Sequence, residues 1–472
     1  MGEFFDQPAT EDTDTANRLK VICSRKELLE GLQKVAPAVS TRSSLPILSH
    51  VLIGSDSEDR IRLLGSDLEI GISCTIPADV KSPGKATASV RTLMDIINRL
   101  PDGEIELTSS VSNSVRIRTE HSDYKLLGFN SEEYPQLPEV VSPSIFRISQ
   151  EMMHQMIRRV LFAVSPEETR AIFTGVLFEI KQPSAPSFPQ GSGGNLRAGS
   201  NEAAADAQAS EDPFEEDNPA LPPTGSEAGK GAADLDGVSL RLVSTDSHRL
   251  ALINAPLNVE ESEMNLPAGE PPAPSFPQGR GGNMGVTGIS GKFIVPARAM
   301  NELNRLIAGK EGDIRFQFGA GQVLFLLSDG TVMVSRLIEG QFPAYERLIP
   351  VAHSRRWMIE RLPFLNALLR ATVVAREGAN RVVLQPKESQ LSITAESNMI
   401  GAAHEEVEVE IEGDSMEVAF NVKYLTDALA VLESDGCWLN LTEPLKPAIL
   451  QPIVRENSIE SHYLCLMMPM EV

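Results

Sequence analysis

Cysteine is scarce: Cys23, Cys74, Cys437 and Cys465 are the only four in 472 residues. They stand far apart, without a CxxC pair or histidines at zinc-ligand spacing, so neither a disulfide framework nor a zinc site is expected. Buried, reduced thiols in a cytoplasmic protein fit them. No run of about 18 apolar residues occurs, which argues against a membrane-spanning helix. The start, Met1 to Asp6, has neither the basic residues nor the apolar block of a secretory signal. Catalytic groupings are missing too. Asp246 and His248 form an Asp-x-His pair, but no nucleophile, metal-ligand cluster or glycine-rich phosphate loop accompanies it, so no enzyme activity, metal or cofactor is expected.

What the chain has in excess is negative charge, −23 in all. Taken as an average, that argues against nucleic acid. Its distribution argues otherwise. Residues 1–17 carry −5, residues 183–237 carry −8 and residues 258–290 carry −3, which leaves −7 for the rest. The acidity sits mostly in segments rich in Gly, Pro, Ser and Ala, expected to be a disordered acidic tail and two flexible insertions. The insertions share a near-duplicate, APSFPQGSGGN at 185–195 and APSFPQGRGGN at 273–283.

An internal repeat organises the remainder. Segment 19–40 aligns without gaps to 144–165 and 355–376, each a short strand leading into a helix. Matched apolar positions are Val21/Phe146/Trp357, Cys23/Ile148/Ile359, Leu28/Met153/Phe364, Leu32/Ile157/Leu368 and Val35/Val160/Ala371. The last three columns step by four and then three residues, one face of an amphipathic helix. Ser24 and Ser149 stand at N-cap positions, and Pro363 suits a first turn. A second strand–helix unit starts at Lys85, Lys292 and Glu417, and alternating strands Arg60–Gly65, Leu240–Ser244 and Leu391–Ala395 end at Asp67, Asp246 and Glu396. The expected fold is therefore α+β, three repeats of two helices packed on antiparallel sheet. The domains are 18–141, 144–351 with the insertions, and 355–472.

Every repeat places a cation at the same helical position: Lys34/Arg159/Arg370 on the first helices and Arg91/Arg298/Lys423 on the second. Such columns suit a surface that tracks phosphates without reading sequence. They equally suit a solvated helix face, since Asp95, Glu302 and Asp427 follow four residues later. Asp246 shares its column with Asp67 and Glu396, which marks it as structural. His248-Arg249 is matched by Glu69-Ile70 and Met399-Ile400, which makes that pair special to domain 2.

Several short motifs carry a family resemblance: Ser44-Leu45-Pro46-Ile47-Leu48, Thr245-Asp246-Ser247-His248-Arg249-Leu250-Ala251, Gly340-Gln341-Phe342-Pro343-Ala344-Tyr345, Phe420-Asn421-Val422-Lys423-Tyr424 and Met468-Pro469-Met470. In their order and spacing the chain resembles the bacterial sliding clamps, the beta subunits of replicative DNA polymerase, over nearly everything except the tail and insertions. The resemblance implies a head-to-tail homodimeric ring of clamp domains around double-stranded DNA, without sequence specificity. A clamp loader opens such a ring, which then tethers the replicative polymerase and other proteins bearing clamp-binding motifs. It further implies a peptide-binding cleft walled by Phe173, Thr245, His248, Arg249, Leu250, Pro343, Arg347, Leu348, Met468, Pro469 and Met470. Arg42 and Arg170 match positions near the pore, and Tyr124 and Leu126 would face Val373 and Val374 at the dimer seam. Two departures touch local contacts: Glu471-Val472 ends the chain where the family often has a basic or aliphatic residue, and Ala171-Ile172 follows Arg170 where aromatics are common. The competing reading is a non-DNA scaffold that keeps the ring fold and recruits partners through its acidic insertions.

Overall fold

The computed structural model describes residues 18–40, 45–110, 112–142, 144–182, 237–261, 290–454 and 458–472. The acidic tail, Arg42 and most of both insertions lie outside the described residues. Within them, each expected strand–helix unit is present. Lys20–Ser24 leads into α1 (Arg25–Val35), and Lys85–Ser89 into α2 (Val90–Arg99). Ser144–Ser149 leads into α3 (Gln150–Leu161), and Gly291–Pro296 into α4 (Ala297–Ile307). Arg355–Glu360 leads into α5 (Arg361–Ala375), and Val418–Asn421 into α6 (Val422–Ala430).

The helices form where the apolar columns place them. Leu28, Leu32 and Val35 of α1, Met153, Ile157 and Val160 of α3, and Phe364, Leu368 and Ala371 of α5 are all buried. Ser149 caps α3 by accepting from Met152 N, and Asn421 caps α6 by accepting from Lys423 N, each satisfying an amide the helix leaves free. Ser24 holds the N-cap position of α1 without a side-chain bond. The start of the second expected insertion, Asn258–Glu261, is instead a strand paired with Ser144–Arg147.

Sheets run continuously across both domain junctions. The last strand of domain 2, Val332–Arg336, pairs antiparallel with Ile70–Pro77 of domain 1, joining a nine-stranded sheet. The last strand of the chain, Tyr463–Met467, pairs antiparallel with Arg249–Pro256 of domain 2, joining a twelve-stranded sheet. The equivalent strand of domain 1, Asp123–Leu127, is left at the edge of a five-stranded sheet.

The two junctions are built alike. An Asp turn precedes each receiving strand: Asp67 Oδ1 accepts from Glu69 N and Ile70 N, and Asp246 Oδ1 accepts from His248 N and Arg249 N. Leu68 and Ser247, inside these turns, take left-handed φ values of 76° and 80°. In domain 3 the same bonds go to Ser397 Oγ, from Met399 N and Ile400 N, so Ser397 and not Glu396 is the turn residue there. Beyond each ladder one further bond recurs, Arg336 N to Glu69 O at 2.9 Å and Met468 N to His248 O at 2.8 Å.

Besides the main core, a second apolar cluster spans domains 2 and 3: Leu177, Val243, Leu250, Leu252 and Ile294 meet Ile449, Leu464 and Leu466, covered by Phe342 and Tyr345 of the interdomain linker. A smaller cluster in domain 1 joins Leu52 and Leu64 under Tyr134.

Candidate functional site

The second cluster is the floor of the expected cleft, and most of the named wall residues gather around it. Leu250 is 1% exposed and belongs to the floor itself, so it is core and not a wall. Met468 packs against the same cluster, half-buried. Pro469 and Met470 are also half-buried, and Met470 N donates to Ala419 O at 2.8 Å, which ties the terminal segment to domain 3. Arg381 Nη1 donates to Glu471 O, holding the chain end from outside. Phe173 sits edge-on to Phe342, ring centres 6.4 Å apart. Pro343, Arg347 and Leu348 are exposed on the linker that Phe342 and Tyr345 anchor. His248 is exposed beside Tyr424, with ring centres 6.5 Å apart. An apolar floor with thioether, aromatic and a few polar walls suits an extended peptide with apolar anchors.

Two of the expected wall residues are internal braces. Thr245 is buried, and its hydroxyl donates to Arg249 O at 2.7 Å. Arg249 is buried, and its guanidinium donates to Asp246 Oδ2 at 3.0 Å, Asp427 Oδ2 at 2.7 Å and Phe162 O at 2.6 Å. The Tyr424 ring centre lies 4.6 Å away. With its donors already engaged, Arg249 rivets domain 2 to α6 of domain 3. Arg170, expected near the pore, donates from Nη1 to Ser247 Oγ at 3.0 Å. That bond places Arg170 beside the His248 turn. From sequence, Ser247 carried no site role, although it adjoins the His248-Arg249 pair special to domain 2.

The cation columns need correction. Arg159 is 1% exposed and bonded to Glu460 at 2.8 Å, with Glu433 at 3.5 Å, so it joins domain 2 to domain 3 and is withdrawn from solvent. Burying an arginine is tolerable only because those carboxylates accompany it. Lys34 pairs with Asp329 at 3.1 Å, and Arg298 bonds Asp67 and Pro37 O, both across the domain 1–2 junction. Burial alone would raise the Asp329 carboxyl, but bonds from Thr331, Lys310 and Lys34 outweigh it and hold the group well below the usual carboxylate range. Arg370 grips Glu405 within its own domain, and Lys423 pairs with Asp427. Arg91 is exposed, with no ion pair among the described residues.

Of the expected seam residues, Tyr124 is 40% exposed on the edge strand and Val373 is 66% exposed near the end of α5. Leu126 and Val374 are half-buried against their own domains. Sequence reasoning missed Leu127, 78% exposed on the same edge strand, and Met399 and Ile400, 84% and 56% exposed in the Ser397 turn.

Comparison with known proteins agrees with this architecture. Family models of the DNA polymerase III beta subunit match in order, the N-terminal domain at 19–138, the central domain at 286–344 and the C-terminal domain at 346–470. A beta sliding clamp from Synechocystis is 30% identical over 451 residues, spanning 92% of this chain and 96% of that one. The DNA polymerase sliding clamp of Bacillus subtilis superposes with a TM-score of 0.74 at 25% identity, covering 97% of this chain and all of that one. A Pseudomonas aeruginosa clamp bound to griselimycin shares the fold, with a TM-score of 0.72 at 23% identity over 96% of this chain and 100% of that one. Repeated strand–helix units, sheet-to-sheet domain junctions and matches along nearly the whole length lead to one assignment: the chain belongs to the DNA polymerase III beta subunit family, the beta sliding clamps.

Proposed function

We propose that two copies of this chain close head to tail into a ring around duplex DNA. The ring is opened by a clamp loader and tethers the replicative polymerase and other replication proteins through the cleft at the domain 2–3 junction. It performs no chemistry itself; it supplies attachment in the cytoplasm, where the DNA is. Non-specific contact with phosphates falls to cations on the helices and loops, with Arg91 and Arg42 foremost.

The observation that carries the ring is the repetition of one junction. Val332–Arg336 fills the edge beside the Asp67 turn, and Tyr463–Met467 fills the edge beside the Asp246 turn. Among the described residues that leaves one donor strand, Asp123–Leu127, and one turn, at Ser397, without a junction partner. Both ends expose large apolar side chains, and a two-fold arrangement of two copies satisfies both. Transferring the internal register to the seam sets Tyr124 of one copy opposite Ala403 of the other, and Leu126 opposite Gly401. Leu127 N then donates to Ile400 O. Lys34 and Arg159 each cross to an acid in the next domain. By the same logic Arg370 leaves Glu405 for Glu120 in the exposed turn after Ser114–Arg118.

Light scattering across a dilution series should report a mass near twice 51.3 kDa. Leu127→Asp should convert it to monomer, because the seam would have to bury an unpaired charge. Val374 is the poorer probe, since it packs within its own subunit. A wild-type monomer at micromolar concentration would contradict the ring.

A further inference from the structure

The linker that walls the cleft is fastened to domain 2 by a polar row across the outer face of the sheet. Lys292, Glu179, Arg241 and Asn254 are direct cross-strand neighbours on four adjacent strands. Two residues along each strand, on the same face, lie Ile294, Leu177, Val243 and Leu252 of the cleft floor. Tyr345 covers that floor with its ring and reaches the polar row with its hydroxyl, which donates to Glu179 Oε2 at 2.6 Å. Lys292 Nζ is 2.9 Å from Glu179 Oε1 and 3.6 Å from Glu346 of the linker. Arg241 donates to the Tyr345 hydroxyl at 3.3 Å and to Asn254 at 2.6 Å. Glu179, Arg241 and Asn254 are all buried.

The repeats supply an internal control. Domain 1 has the same linker tyrosine, Tyr134, buried over Leu52 and Leu64. Its hydroxyl donates to His50 O at 2.9 Å and accepts from Ser66 N at 3.2 Å, so only backbone holds it. The corresponding row there is Lys85, Gly54, Arg62 and Thr75: both cations are kept, and glycine stands where domain 2 has Glu179. In domain 3 the row is Gln385 beside Ser392 and Glu406. A carboxylate at this position therefore occurs only in the repeat whose linker forms a wall of the cleft.

We infer that Glu179 is a positioning residue for peptide binding: through the Tyr345 hydroxyl it latches the linker, so that Pro343, Arg347 and Leu348 are held at a fixed distance from the terminal Met468–Met470 wall. The inference rests on the cleft reading proposed above. A pre-set wall spares an incoming peptide the cost of ordering it, so the latch acts mainly on how long the peptide stays. Burial opposes the charged form of Glu179, yet the bonds from Tyr345 and Lys292 prevail and its carboxyl lies below the ordinary value. The latch is thus charged throughout the neutral range.

The test uses the full-length protein and a labelled peptide with a glutamine followed by aliphatic and aromatic anchors, read by fluorescence anisotropy. Glu179→Gln and Tyr345→Phe should each weaken binding about tenfold, the scale of one hydrogen bond to a charged group. The double variant should be little worse than either, because both remove one contact. Amide exchange across 342–349 should quicken in all three. Tyr134→Phe, which loosens the domain 1 linker, should lower the melting temperature without moving peptide affinity or exchange across 342–349. Wild-type affinity and exchange in the Glu179 and Tyr345 variants would overturn the latch and leave the cleft standing. So would an equal loss of affinity in Tyr134→Phe, by reducing the effect to general stability. Failure of the wild-type protein to bind the peptide would overturn the cleft reading and the latch with it.

Discussion

A charge at a domain junction does structural work only while its partner stays charged. Asp329 is the acid that receives Lys34 from domain 1 and Lys310 from domain 2. Its folded-state value is depressed, so its stabilising contribution is present above the unfolded carboxylate range and is lost as pH falls towards the folded value. Asp329→Asn should therefore be less stable than wild type at pH 7. The gap should close as pH drops below about 4, where the unfolded carboxyl takes up its proton. Urea unfolding at several pH values checks this, and a gap independent of pH would contradict it. Arg159 and Arg249 teach the complementary lesson. Their sequence positions were legible, one in a cation column and one in a pair special to domain 2. Their roles were not, because their carboxylate partners, Glu460 and Asp427, lie 301 and 178 residues away in the chain.

At the scale of elements, periodicity was a sound guide wherever the force that shapes the element is local. The four-then-three spacing of Leu28, Leu32 and Val35 placed α1, and its counterparts placed α3 and α5. Alternation placed the strands at Arg60, Leu240 and Leu391. Sheet continuity between domains was invisible, since strand pairing across a junction leaves no spacing signal in one chain. The turn in domain 3 was misplaced by one residue because Glu396 resembles the aspartates chemically, while Ser397 makes the bonds. The terminal segment shows the use of reading elements this way. The last strand ends at Met467; beyond it Met468 packs on the floor with its amide on His248 O, and Met470 N bonds Ala419 O. Removing Met468–Val472 should therefore abolish peptide binding by taking away one wall while leaving the dimer and most of the stability intact. Anisotropy run beside native mass measurement reads both. Peptide binding retained by an intact truncated dimer would place the cleft elsewhere. Leu250 is unsuitable for the same purpose, since a charge there would disrupt the floor that joins domains 2 and 3.

At the scale of the whole molecule, a net charge of −23 and a DNA-encircling role are compatible because much of the charge is carried by the tail and insertions. Most column cations have acids beside them, so their attraction to phosphate is moderate, which favours sliding over fixed attachment. Topology, more than affinity, then keeps the protein on DNA. The most direct measurement is retention on circular DNA after loading by a clamp loader, followed by a single linearising cut. The account predicts that protein stays on the closed circle through a high-salt wash and leaves once the DNA has ends. Equal loss from circle and line, or equal retention on both, would contradict a closed ring.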